Sequence, residues 1–134
     1  MGTGYPLAAP AEPGVGEGWA LLARAVSTRL PAADLHGLWV FRPFRRDGKE
    51  YGTAILSRVE GARLFIYTAR YAHTLKGKKR GEFASEMSEV GSGPLEALDE
   101  LVALVPKRTE EEPPLRIPLA RWYPAEPDGT PDIG

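Results

Sequence analysis

Apolar residues recur at three- and four-residue intervals in two stretches of this chain, and between those stretches the rhythm changes to alternation. Trp19, Leu22, Val26 and Leu30 fall on one stripe with Arg24 and Arg29 between them, so an amphipathic helix is predicted from Glu17, ended by Pro31. Leu95, Leu98, Leu101, Val102 and Val105 form a second stripe between Pro94, which suits a first helical turn, and Pro106. The segments 38–46, 49–59, 63–75 and 82–90 read as strands. Asp47-Gly48 joins the first two and is a dipeptide that a two-residue type I′ turn selects, because glycine takes positive φ without steric cost. Glu60-Gly61 offers a second reversal, the lysine-rich run 76–81 a third, and Gly91-Ser92-Gly93 a turn from strand to helix. The pattern predicts an α+β domain, a four-stranded antiparallel meander flanked by an N-terminal and a C-terminal helix (αββββα). Residues 115–119 are available as a short extra edge strand that tolerates Pro118.

Counting by twos through two-residue turns places Trp39, Phe41, Leu56, Phe65, Tyr67 and Tyr71 on one face, with Glu82 and Glu86. The other face collects Leu38, Val40, Phe44, Ile55, Leu64, Ile66, Phe83 and Met87, with Arg42 and Arg70. Both faces are apolar, so both require cover, from the two helices or from a second subunit. Glycine and proline run through residues 1–16, which read as a flexible arm; 17–124 form a single domain, with Arg121-Trp122-Tyr123 laying aromatic surface on it; 125–134 read as a flexible tail.

Composition narrows the chemistry. The 134 residues contain no Cys, and neither Asn nor Gln; the two histidines are His36 and His73. Disulfides and zinc–thiolate sites are excluded, and the side chains from which most catalytic constellations are built are scarce. Ser57, Ser85, Ser88 and Ser92 lack a GxSxG context, and Asp34 beside His36 reads as a turn residue. Glu82 and Glu86 remain as carboxylates able to share a cleft, but the expectation is a non-enzyme with no cofactor and no metal. Few thermolabile residues, and Arg well in excess of Lys, suit a protein adapted to heat. No apolar run approaches the roughly 18 residues of a membrane span, and the N-terminus has no basic residue ahead of an apolar stretch, so a cytoplasmic location without membrane contact is expected.

Charge supplies the functional expectation. The net charge is -1, yet Arg42 to Arg80 carries eleven basic residues against Asp47, Glu50 and Glu60, while residues 82–112 carry nine acidic ones against Lys107 and Arg108. Lys76, Lys78, Lys79 and Arg80 crowd one hairpin, with Arg70 and His73 a few strand positions away; Arg42, Arg45 and Arg46 crowd the other, near Lys49. Such clusters neutralise phosphates, and Tyr67 and Tyr71, with Phe65, are candidates to stack on unpaired bases. These residues make DNA or RNA the favoured partner of a non-catalytic binding domain. The competing reading treats the lysines as a solvated loop that blocks aggregation and the chain as a homodimeric protein-interaction module, adaptor or antitoxin-like, with its acidic and basic segments paired across subunits. The strand, glycine turn and Leu-Glu-Ala-Leu helix over 89–98 is similar to small antitoxin domains of the partial ribonuclease-H type. The helix–strands–helix order resembles double-stranded-RNA-binding domains, although Glu96, Asp99 and Glu100 stand where those domains carry a basic cluster. Neither likeness transfers a function.

Overall fold

Helix α1 (Glu17–Ser27) starts after Gly16, whose φ of 113° suits glycine alone. It ends where the Ser27 and Thr28 hydroxyls donate to the Arg24 and Ala25 carbonyl oxygens, each at 2.8 Å, satisfying acceptors that the helix leaves open. The computed structural model describes residues 13–104 and 114–122; most of the expected arm and all of the expected tail lie outside the described residues.

The strands are β1 (Leu35–Val40), β2 (Phe44–Arg46), β3 (Lys49–Glu60), β4 (Arg63–Thr74), β5 (Phe83–Pro94) and β6 (Leu115–Arg116). They form one antiparallel sheet in the order β5-β4-β3-β1-β6, with β2 also pairing β3. A 3₁₀ turn, Leu95–Ala97, leads into α2 (Leu98–Leu104), and α3 (Leu119–Trp122) closes the described chain. The architecture is the α+β fold that the periodicity predicts, including the short strand at Leu115.

Two local features depart from the expectation. The first predicted strand breaks at 41–43, where Pro43 has no N–H to donate; β1 and β2 both pair with β3 on either side of the break. The fourth strand does not stop at Val90 but runs through Gly91-Ser92-Gly93 to Pro94. Its register shifts between Ile66 and Tyr67, whose partners are Gly91 and Glu89, leaving Val90 as an extra, exposed residue within the strand.

These irregularities decide the faces. The sorting of β3 and β4 is as expected, but the break moves β1 by one residue against β3, pairing Trp39 with Ile55 and Leu38 with Leu56. A one-residue slip carries a whole strand to the opposite face, and residues 83–89 of β5 are reversed likewise by the β4–β5 connection, which pairs Phe83 with His73 ahead of the Val90 bulge. One face therefore buries Leu38, Val40, Leu56, Ala69 and Tyr71 against Trp19, Leu22 and Val26 of α1, with Trp122 of α3; Tyr67, Phe83 and Met87 pack at its margin. The other buries Trp39, Ile55, Leu64 and Ile66 against Leu98, Leu101 and Val102 of α2. Helix α2 covers only that half of its face, and among the described residues nothing packs over the half built from β2, β3, β4 and β5 near the β2–β3 turn.

Candidate functional site

The two basic clusters meet at one end of the sheet. Asp47 and Gly48, at φ 53° and 78°, make the two-residue turn between β2 and β3, the mirror-image conformation that their sequence selects. The β4–β5 connection folds back on itself through Gly77 and Gly81, at φ 88° and 97°. Gly81 N–H donates to the Thr74 carbonyl at 2.8 Å, and Arg80 N–H to that of Gly77 at 3.1 Å. A further bond, from Leu75 N–H to the Gly48 carbonyl at 2.7 Å, fastens the two tips together. Lys76, Lys78, Lys79 and Arg80 are exposed on one tip, and Arg42, Arg45, Arg46 and Lys49 are exposed on and beside the other. Residues some thirty positions apart thus form one cationic surface, with Asp47 and Glu82 as its exposed acids.

Beneath this surface lies a buried carboxylate. The Glu50 side chain is 8% exposed and takes the Arg45 Nε and Nη2 donors on Oε2, both at 3.4 Å, so the half-exposed guanidinium is held from below. Tyr71 donates its hydroxyl to the other oxygen, Oε1, at 2.8 Å. Burial first, then the field of the Glu50 carboxylate and the hydrogen bond to it, push the Tyr71 phenol well above its ordinary range, opposed by Arg45. The consequence for stability has a definite sign. Below the unfolded phenol's pKa, about 10, both states are protonated; above it the unfolded state loses a proton that the folded state keeps, and stability falls by up to about 1.4 kcal/mol per pH unit. Thermal unfolding followed from pH 9 to 12 is expected to show this decline, and Tyr71→Phe is expected to flatten it while lowering stability at neutral pH by about 1–3 kcal/mol. The remaining tyrosines are common to both proteins and cancel in the comparison.

The site residues expected from sequence do not all come together. Arg42, Arg45, Arg46, Lys76, Lys78, Lys79 and Arg80 share the cationic end. Tyr71 and His73, 3% and 4% exposed, belong to the interior under α1, where Phe83 stacks on Tyr71 at 5.7 Å and meets His73 edge-on at 6.0 Å. Tyr67 lies away from the tips on the α1 face, where Arg58 Nε donates to its hydroxyl at 3.1 Å, in a cleft of about 370 Å³ shared with Arg29, Asp34 and Met87. Hydrogen bonds to Glu60 and Tyr67 hold the Arg58 guanidinium protonated. Arg70 points to the opposite, open face. His36, outside the site, is exposed and shares a hydrogen bond with Ser57 Oγ at 3.2 Å.

The aromatics beside the cations are instead Phe44 and Tyr51, direct cross-strand partners stacked at 5.1 Å with 21° between their planes. Arg46 lies 5.7 Å from the Phe44 ring centre. Counting outward from the Asp47-Gly48 turn pairs Phe44 with Tyr51 directly, and that signal was available in the sequence.

No family model, curated protein or solved structure matches this chain. Among the described residues no helix is long and apolar enough to cross a membrane, and no group of three or more His, Asp or Glu is placed to hold a metal ion.

Proposed function

We propose that this chain is a non-catalytic nucleic-acid-binding domain that contacts phosphates through the joined β2–β3 and β4–β5 tips. The observation that carries the reading is their convergence: the Leu75–Gly48 hydrogen bond makes one surface of two sequence clusters, each exposed, with Arg45 oriented by buried Glu50. Cations fixed on a rigid sheet end neutralise several phosphates at once, releasing their counterions, without requiring base recognition.

Fluorescence-anisotropy titrations with labelled DNA and RNA test it. Six contacts would weaken binding about a thousandfold between roughly 50 and 200 mM salt. The triple substitution Lys78→Ala, Lys79→Ala and Arg80→Ala is expected to lower affinity about ten- to a hundredfold at the lower salt and to make the log–log salt slope shallower by about 2 to 3. An affinity indifferent to salt and to these substitutions sinks the proposal.

One observation favours the competing reading of a homodimeric interaction module. Strand β5, 12 residues long, has β4 as its single neighbour among the described residues, and such an edge can accept another strand. Glu86, Glu89 and the Val90 bulge oppose pairing of two such edges, since like charges would face each other. Light scattering decides: a dimer with no affinity for nucleic acid supports the module.

A further inference from the structure

The half of the sheet face next to the cationic end that the described residues leave uncovered is shaped for more than phosphate. Stacked Phe44 and Tyr51 form a flat wall. Cross-strand partners Ala72 and Ala84 keep the floor low beside it, and with Tyr51, Arg70 and Glu86 they line a cleft of about 330 Å³. Arg70 and Glu86 stand opposite each other in register, yet among the described residues they form no ion pair, and Arg70 Nε is buried without a hydrogen-bond partner. A guanidinium and a carboxylate held side by side and left unjoined present a donor next to an acceptor. Arg46 and Lys49, themselves paired across the turn, continue this face toward the tips.

We propose that this cleft takes an unpaired base of a single-stranded nucleic acid whose phosphates follow Arg46 and Lys49 onto the basic tips; the inference rests on the nucleic-acid reading and narrows it to single strands. The base stacks on Tyr51, and Arg70 and Glu86 meet its Watson–Crick edge, where every base sets a donor beside an acceptor. In a duplex that edge and both ring faces are occupied, so the cleft contributes nothing. The acidic residue has a role a purely electrostatic surface would not give it: Glu86 repels phosphate but accepts from a base N–H.

The test compares a labelled single-stranded DNA of mixed sequence with the same strand in a duplex, by anisotropy at roughly 50 mM salt. The wild-type protein is expected to hold the single strand about tenfold more tightly than the duplex. Tyr51→Leu, which keeps an apolar side chain but removes the ring, is expected to weaken single-strand binding about tenfold and to leave duplex binding within about twofold. Arg70→Lys, which retains the charge and loses the fork, is expected to weaken the single strand alone, with the salt slope unchanged; it serves the same comparison where Tyr51→Leu unfolds. Equal affinity for both ligands, unaltered by either substitution but lowered by the Lys78, Lys79 and Arg80 triple substitution, overturns this inference and leaves the phosphate-binding proposal standing. Absence of binding to either ligand overturns both.

Discussion

Replacing Trp19 with alanine is expected to lower the unfolding free energy by about 4 kcal/mol, a large part of the 5–15 kcal/mol that a domain of this size commands. Trp19 is 2% exposed and stands where three elements meet: its ring approaches Tyr71 of β4 edge-on at 5.3 Å and 81°, and Trp122 of α3 at 5.9 Å and 60°. Leu22, Ala23 and Val26 extend the same helix stripe, but none of them reaches α3 and β4 together with an aromatic ring. Alanine would leave a cavity that neither the rigid sheet nor the short α3 can close. Among the described residues the buried indole Nε1 has no hydrogen-bond partner, so Trp19→Phe removes no bond there and is expected to cost only about 1–2 kcal/mol. Guanidinium unfolding of both variants checks this, through a lower midpoint at an unchanged slope. A loss below about 1 kcal/mol for alanine would mean that α1 does not hold the sheet as described.

Elements whose signals are local were legible in the sequence. The three- and four-residue spacing of Trp19, Leu22 and Val26 gave α1, and Asp47-Gly48 gave a turn whose two positive φ angles the structure contains. Registers were harder, because they depend on single residues that interrupt a strand. Pro43 breaks the first strand and Val90 bulges from the last, and a slip of one residue exchanges the faces of an entire strand. Those slips put Leu38, Val40, Phe83 and Met87, rather than Trp39, on the face that Tyr71 shares with α1. The burial of Tyr71 could not be read from alternation, since both faces of this sheet are apolar in part and helix cover differs between them. Neither could the union of the two basic clusters, which depends on the backbone bond from Leu75 to Gly48 across a sequence gap. The charge segregation was visible; its assembly into one surface required the fold.

Gly52→Val is expected to prevent folding, and Gly52→Ala to cost about 3 kcal/mol, because Tyr71 occupies the space above this glycine. Gly52 and Tyr71 are direct cross-strand partners, and a Cβ on Gly52 would overlap the phenol ring, with Tyr71 Cζ at 2.7 Å. The ring has nowhere to retreat. On its far side a Cβ built on Gly18 of α1 would also clash with it, at 2.6 Å from Cε1, while Trp19 and Phe83 flank it and its hydroxyl is held by Glu50. Two glycines on different elements therefore leave a slot that one tyrosine fills, which fixes the spacing of α1 from the sheet and places the carboxylate that orients Arg45. The strain is specific to the ring, so Tyr71→Ala combined with Gly52→Ala is expected to cost less than the sum of the two single substitutions. Gly91, where an added Cβ meets nothing within 4 Å, supplies the control: Gly91→Ala is expected to be neutral or to stabilise by about 0.5–1 kcal/mol. Additive losses in the double-substitution cycle, measured by chemical unfolding, would show that the slot is not what excludes a side chain at position 52.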